Sequence, residues 1–130
     1  MRVVFDTNIF VLALALPGGR ADHAIRRIVE GRDHLIVSRP IINELLDVLA
    51  RKFRREAEDL ARVAVFVADL GEMVETRRRL LVLADDADNR ILECAVAGDA
   101  EAIVTGDRAM LKLRRYRDIR IVALRNYVED

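Results

Sequence analysis

Four short apolar runs, separated by segments with helical periodicity, restrict the fold of this chain more than any other feature of its sequence. Strands that are almost wholly apolar and alternate with helices are typical of a parallel sheet covered on both faces. The sequence therefore predicts an α/β fold, a three-layer α/β/α sandwich with a central parallel sheet. Residues 73–76 fit either a short additional strand or a connection. The apolar runs are residues 3–5, 35–37, 102–104 and 119–122, and the helical segments are residues 21–30, 40–53, 56–70 and 89–98.

Length and composition narrow the class of protein. With 130 residues, of which 52% are hydrophobic and 34% charged, the chain is expected to form a single domain over residues 1–130. Its one cysteine, Cys94, excludes a disulfide framework and a cysteine-based zinc site. The apolar run 9–16 is too short to span a membrane. We therefore expect a cytoplasmic protein with no membrane-spanning segment.

The charges of the chain cancel, with 22 basic and 22 acidic residues, so no overall positive field attracts nucleic acid. All of the basic residues except Lys52 and Lys112 are arginines, and many fall in the runs 51–55, 77–79 and 114–117. Each run is open to two interpretations, a solvated helix face or a contact to phosphate, which the arginine fork suits better than lysine does.

Acidic residues follow or face the ends of the predicted strands. Ligands of an open parallel sheet bind beyond the carboxyl ends of its strands. Asp6 comes directly after the first apolar run, and Asp107 follows the third run after Thr105 and Gly106. Glu44 lies in the helix that follows the second strand, where it borders the apolar face at 100° per residue. Asp88 begins a helix on its inward side, whereas Arg90 and Glu93 lie on the far side.

Each acid also has a structural interpretation. Asp6, Asp88 and Asp107 can cap the helices that follow them, and Glu44 can be an exposed helix residue. If all four converge, however, they repel one another unless a cation lies between them. Hard oxygen ligands of this kind select Mg²⁺ or Mn²⁺ over zinc.

The same acidic positions carry a family resemblance. Residues 3–10, 41–46, 88–95 and 103–107 resemble, in order and spacing, the four motifs of the PIN domain, a nuclease family found in many prokaryotic toxin–antitoxin pairs. The resemblance extends from Met1 to about Leu124. It implies that a metal-binding, catalytic cluster is formed by Asp6, Glu44, Asp88 and Asp107, supported by the polar residues Asn8 and Thr105. Asp85 and Asp86 are rival ligands for the place of Asp88.

The resemblance implies a PIN-like fold and a metal-dependent endoribonuclease that hydrolyses RNA, as the toxin of a toxin–antitoxin pair, with Mg²⁺ or Mn²⁺ as cofactor. It also implies a small antitoxin as partner and a homodimer, for which the apolar stretch 10–16 offers either an interface or core. The alternative is a PIN-like RNA-binding or protein-interaction module without activity. A phosphatase with an Asp-x-Asp motif is disfavoured, because Asn8 stands at the second acidic position. We interpret His23 and His34 as structural or surface residues.

Overall fold

The computed structural model describes residues 1–129, which form a central sheet flanked by helices. Helices and strands alternate along most of the chain, as the apolar runs predict. In chain order the elements are β1 (Arg2–Phe5), α1 (Thr7–Ala15), α2 (Arg20–Val29), β2 (His34–Ser38), α3 (Arg39–Lys52), α4 (Ala57–Leu70), β3 (Glu72–Val74), α5 (Asp86–Ala97), β4 (Ala102–Thr105), α6 (Arg108–Leu113), β5 (Arg115–Tyr116), β6 (Ile119–Ala123) and α7 (Leu124–Val128).

The sheet of the described residues has six strands in the order β3-β2-β1-β4-β6-β5. All neighbouring strands are parallel except β5, which pairs with β6 in an antiparallel hairpin. The predicted α/β sandwich is therefore confirmed, with one antiparallel edge strand that the apolar runs did not indicate. The run at residues 73–76 overlaps the short edge strand β3, which begins one residue earlier and ends two residues earlier.

The core explains why the predicted runs are strands. Val3, Val4, Ile36, Ile103 and Val104 are each completely inaccessible to solvent, as expected for strands with helices on both faces. Helix α5 packs against β1, β2 and β4. Its close approach is possible because no side chain projects from Gly98, where an added Cβ would lie 2.4 Å from Cγ2 of Ile36. The helix that carries Asp88 is thus held firmly on the sheet.

Strands β1 and β4 are neighbours in the middle of the sheet, so their carboxyl ends meet. Val4 pairs with Ile103 and Phe5 with Val104, and the amide of Asp6 donates a hydrogen bond of 3.0 Å to the carbonyl oxygen of Val104. The residues that follow the two strands are therefore brought together. No helix within residues 1–129 is both long and apolar enough to cross a membrane.

Candidate functional site

Asp6 lies at the junction of β1 and α1, in a position that is only 5% exposed. Its side chain caps α1 by accepting a hydrogen bond of 3.4 Å from the amide of Asn8. Its other oxygen accepts a bond of 2.7 Å from the hydroxyl of Thr105. Burial raises the pKa of Asp6; these hydrogen bonds oppose the rise, and the charge of Asp107 adds to it. Asp6 is thus both a helix cap and a buried carboxylate under electrostatic stress.

Asp88 lies in the first turn of α5 and is 9% exposed. It is not the cap of that helix, because Asp85 holds the N-cap position and accepts a bond of 2.9 Å from the amide of Ala87. Burial raises the pKa of Asp88 to about 7, with further contributions from the charges of Asp107, Asp6 and Asp85. The inward orientation expected from the helical angles is therefore what the structure has.

Asp107 follows β4 by two residues and is partly exposed. It caps α6, because its Oδ2 accepts a bond of 2.9 Å from the amide of Met110. Its own amide donates a bond of 3.0 Å to Oγ1 of Thr105. Thr105 therefore links the two acidic strand ends, since the same hydroxyl group contacts Asp6 and Asp107.

The structure brings three of the four predicted acids into one electrostatic cluster, hereafter the aspartate cluster: Asp6, Asp88 and Asp107. Their mutual repulsion contributes to the raised pKa of both Asp6 and Asp88. Glu44 lies one helix away, on α3, and is partly exposed. Helix α3 packs against α1 and α5, but within residues 1–129 no hydrogen bond or ion pair joins Glu44 to the aspartates.

The two rival acids have other roles. Asp85 caps α5 and is exposed, and Asp86 is also exposed and lies 4.0 Å from Arg90. Of the two predicted supporting residues, Thr105 is fully buried and bonded to Asp6. Asn8 is exposed and contributes the backbone amide described above. Its side chain is therefore less constrained than that of Thr105.

A second set of polar residues on α5 was missed by sequence reasoning. Residues 75–85, hereafter the strap, form an irregular segment that lies over the far side of α5. Oδ1 of Asn89 accepts bonds of 3.0 and 2.8 Å from the amides of Val82 and Leu83, and its Nδ2 donates to the carbonyl oxygen of Leu83 at 2.8 Å. An aspartate could not make that last bond, which explains an amide directly after Asp88.

Glu93 and Arg90 hold the strap at a second point. Oε2 of Glu93 accepts a bond of 2.7 Å from the amide of Leu80 and forms an ion pair of 2.8 Å with Arg90. Arg90 in turn donates to the carbonyl oxygen of Leu80 at 3.3 Å. The two residues do lie on the far side of the helix, yet Glu93 is only 5% exposed because the strap covers it. Helical angles alone give no signal for such a covering segment.

The aspartate cluster suits a hard divalent cation by its chemistry, because all of its ligands are carboxylate oxygens and nearby positive charge would relieve their repulsion. In the described part of the chain, however, no three acidic, histidine or cysteine side chains already converge on a single metal position. Asp107 is the member of the aspartate cluster that is partly exposed.

Comparisons with known proteins identify the family and the fold of the chain. A family model described as PIN domain matches residues 2–109. An uncharacterized protein of Methanocaldococcus jannaschii, MJ1680, is 25% identical over 118 residues, which cover 88% of this chain and 76% of that protein.

Two solved structures share the fold at 15% sequence identity. One is VapBC2 from Rickettsia felis, which is bound to a DNA fragment from its promoter. Its TM-score is 0.67, and the match covers 95% of this chain and 98% of that one. VapBC-1 from nontypeable Haemophilus influenzae has a TM-score of 0.64, covering 96% and 99%. The sheet order and flanking helices described above are thus those of a known fold.

Proposed function

The chain belongs to the PIN domain family, a family of nucleases, and on that premise we propose that it is a metal-dependent endoribonuclease. The observation that carries the proposal is the aspartate cluster, in which burial and mutual repulsion raise the pKa values of Asp6 and Asp88. Buried carboxylates that lack a cationic partner are costly to the fold, and such costs concentrate at functional sites. The reaction is the hydrolysis of RNA phosphodiester bonds by water.

In this proposal the aspartates are the metal ligands. Asp6 is the central one, since it is the most deeply buried, and Asp88 and Asp107 complete the set. A bound Mg²⁺ or Mn²⁺ supplies positive charge that offsets the phosphate and lowers the pKa of the attacking water. Glu44, which is not bonded to the cluster, orients that water. Thr105 holds Asp6 in position through its hydroxyl group.

The metal part of the proposal can be tested without knowing the RNA. Thermal unfolding of wild type and of Asp6→Asn is followed across a Mn²⁺ titration. Without metal, Asp6→Asn is expected to be at least as stable as wild type, because it relieves repulsion. At ~100 times its Kd, a cation that binds only the folded state adds roughly 2.7 kcal/mol to wild type. If Mn²⁺ stabilises the two proteins equally, the aspartate cluster is not the metal site.

The reaction is tested by incubating labelled RNA of several sequences with Mn²⁺ and each protein. We expect wild type to cleave and Asp6→Asn to lose more than about 100-fold of the activity, since removing even a group that only orients a ligand costs 10- to 100-fold. Binding of Mn²⁺ and RNA without cleavage would favour the alternative, a PIN-like RNA-binding or interaction module that has lost turnover.

An apolar groove supports the further proposal that this chain is the toxin of a toxin–antitoxin pair. The stretch 10–16 is divided between core and surface: Phe10 is 3% exposed, whereas Leu14 is 40% and Leu16 61% exposed. Together with Phe66 of α4, which is 49% exposed, Phe10 and Leu14 line a groove of about 330 Å³. Exposed apolar surface of this kind marks a protein interface.

The proposed occupant is an apolar segment of a small antitoxin, because the chains of similar fold are from VapBC structures. Leu14→Glu is expected to abolish co-purification with whichever small protein acts as the antitoxin of this chain and to leave folding unchanged. If wild type alone elutes as a dimer and Leu14→Glu as a monomer, the groove is instead the predicted homodimer interface.

The proposed site of action is the cytoplasm. An RNA substrate and the unpaired Cys94 both support it.

A further inference from the structure

A cleft of about 450 Å³ lies beside the C-terminal half of α5, away from the aspartate cluster. The strap forms one wall, and the turn between β5 and β6 closes the cleft with Arg117. Two of the three arginine runs in the sequence meet here, because Arg77 and Arg78 line the same space. Residues separated by about forty positions in the chain thus surround one cavity.

The charges of this cleft favour an anion. Arg77, Arg78 and Arg117 are exposed, and within residues 1–129 none of them forms an ion pair with a carboxylate. Arg117 lies over the ring of Tyr116, with its guanidinium carbon 5.2 Å from the ring centroid.

The carboxylates of the cleft do not cancel these charges. Glu93 also lines it, but its charge is already compensated by Arg90 at 2.8 Å. Glu75 remains as the uncompensated carboxylate. The three guanidinium groups therefore exceed the negative charge around the cavity.

The wall that carries Arg77 and Arg78 is fixed in place. Directly after the arginine run, the amide and the carbonyl oxygen of Leu80 are bound by Glu93 and Arg90. Asn89 holds the next turn of the strap. A binding wall that is ordered in advance reduces the entropy lost when a ligand binds.

We propose that this cleft binds phosphate groups of the RNA substrate, downstream or upstream of the bond that is cleaved. The proposal rests on the proposed function. Both sites lie on α5: from Asp88 to Val96 the helix advances about 12 Å at 1.5 Å per residue. The cleft lies on the far side of the helix, where Glu93 and Val96 line it, so an RNA strand held at the aspartate cluster must continue along α5 and turn around the helix to reach it. The guanidinium fork matches phosphate oxygens in a bidentate manner, and the cavity has the size of a small-ligand pocket.

The test measures RNA binding without cleavage. Wild type is titrated in EDTA against a short, labelled, single-stranded RNA of mixed sequence, by fluorescence anisotropy over a series of KCl concentrations. The cleft variant carries Arg77→Gln, Arg78→Gln and Arg117→Gln. The matched control carries Arg20→Gln, Arg26→Gln and Arg125→Gln, which removes the same charge from exposed residues outside the three arginine runs.

The cleft variant is expected to bind RNA at least about tenfold more weakly than the control, because it lacks three phosphate contacts. Each contact to single-stranded nucleic acid contributes about 0.7 to the slope of log K against log salt, so its slope should be about 2 units shallower. Equal affinities and slopes for the two variants would overturn the proposal. The proposal would also be overturned if polyglutamate displaced the labelled RNA as well as unlabelled RNA does, because the ligand would then be an acidic protein segment.

The binding and cleavage experiments distinguish failure of the cleft proposal from failure of the nuclease proposal. If wild type cleaves RNA with Mn²⁺ but both triple variants bind RNA alike, the nuclease stands and the cleft does not. If wild type binds RNA through the cleft and Mn²⁺ produces no cleavage, the cleft stands and the nuclease does not. If wild type binds no RNA at low salt, the cleft proposal is wrong.

Discussion

The buried aspartates Asp6 and Asp88 lie at one end of the strands and the buried Asp33 at the other, and the pKa of Asp33 shifts in the opposite direction from theirs. Asp33 precedes β2 and is 9% exposed. It accepts hydrogen bonds from the N-terminal ammonium group at 3.0 Å, from Arg27 at 3.0 Å and from the hydroxyl of Tyr127 at 2.6 Å. Burial alone would raise the pKa of Asp33, but these partners together lower it.

At the other end of the sheet, Asp6 and Asp88 are buried to a similar degree, at 5% and 9% exposure. Their nearest charges are other carboxylates, and their pKa values are raised. The role of a buried aspartate therefore depends on its partners and not on burial alone. A carboxylate surrounded by cations stabilises the fold, whereas carboxylates that face one another form a site for a cation from outside.

The first prediction removes the charge of Asp33, and it should lower stability more than the other changes do. Asp33→Asn removes the buried carboxylate that Arg27, the N-terminal ammonium group and the hydroxyl of Tyr127 share. Because the two cations are themselves partly exposed, the substitution is expected to cost about 3 kcal/mol of unfolding free energy, the lower end for a broken buried pair. The matched control is Asp47→Asn, which removes an exposed i,i+4 ion pair with Arg51 and is expected to cost less than about 0.5 kcal/mol. Urea denaturation at neutral pH measures both.

The stability difference between wild type and Asp33→Asn should depend on pH. Because the pKa of Asp33 is lowered from its ordinary 3.8 in the folded protein, its stabilising effect is present above about pH 4 and is lost as the pH falls through the folded pKa. The stability gap between wild type and Asp33→Asn should therefore close in acid. A gap that is constant with pH would mean that packing, and not charge, explains the cost.

The sequence predicted one of these two sites and not the other, for a physical reason. The aspartate cluster follows from local signals, since Asp6 and Asp107 end apolar runs and Asp88 begins a helix. Asp33 lies 32 residues from Met1 and 94 from Tyr127, and no local pattern pairs residues so distant in the chain. Long-range polar pairs of this kind need the fold itself.

The same distinction applies to the fold. The strands β1, β2 and β4 were predictable because buried parallel strands are almost wholly apolar. Strand β6 includes Arg120 and is mostly half-buried, and its β-branched residues made it predictable. The hairpin of β5 was not, because β5 has two residues and its turns use Arg114 and Arg117 at positive φ values of 61° and 54°. Arginine at such a position gives no turn signal of the kind that glycine or asparagine gives.

The second prediction concerns the repulsion between the carboxylates of the aspartate cluster. Asp88→Asn takes away a buried charge that repels Asp6 and Asp107, so without metal the variant should be more stable than wild type at about pH 8. One pKa unit corresponds to about 1.4 kcal/mol, and we expect a gain on the order of 2 kcal/mol. Asp86→Asn, at the exposed neighbouring position, is the control and is expected to change stability by less than about 0.5 kcal/mol.

Asp88 should make stability depend on pH in the opposite direction from Asp33. The pKa of Asp88 rises from 3.8 to about 7 on folding, so between these values the folded protein holds a proton that the unfolded chain has released. The stability of wild type therefore falls as the pH rises through this interval. Wild type and Asp88→Asn should have equal stability near pH 4 and diverge above it. Parallel curves would show that Asp88 is not under electrostatic stress.

The third prediction concerns Thr105, whose hydroxyl group links Asp6 and Asp107, and it has the smallest effect on stability. Thr105→Val removes the hydroxyl that donates to Asp6 at 2.7 Å and accepts from the amide of Asp107, at a cost of about 1 kcal/mol. Because that bond orients Asp6, the Mn²⁺ concentration at half of the thermal shift should rise about 10-fold or more. Thr105→Ser keeps the hydroxyl and should restore Mn²⁺ affinity even if its packing is poorer. If the serine variant binds Mn²⁺ as weakly as the valine variant, Thr105 acts by filling space, and Asp6 reaches its position without a hydrogen-bonding partner.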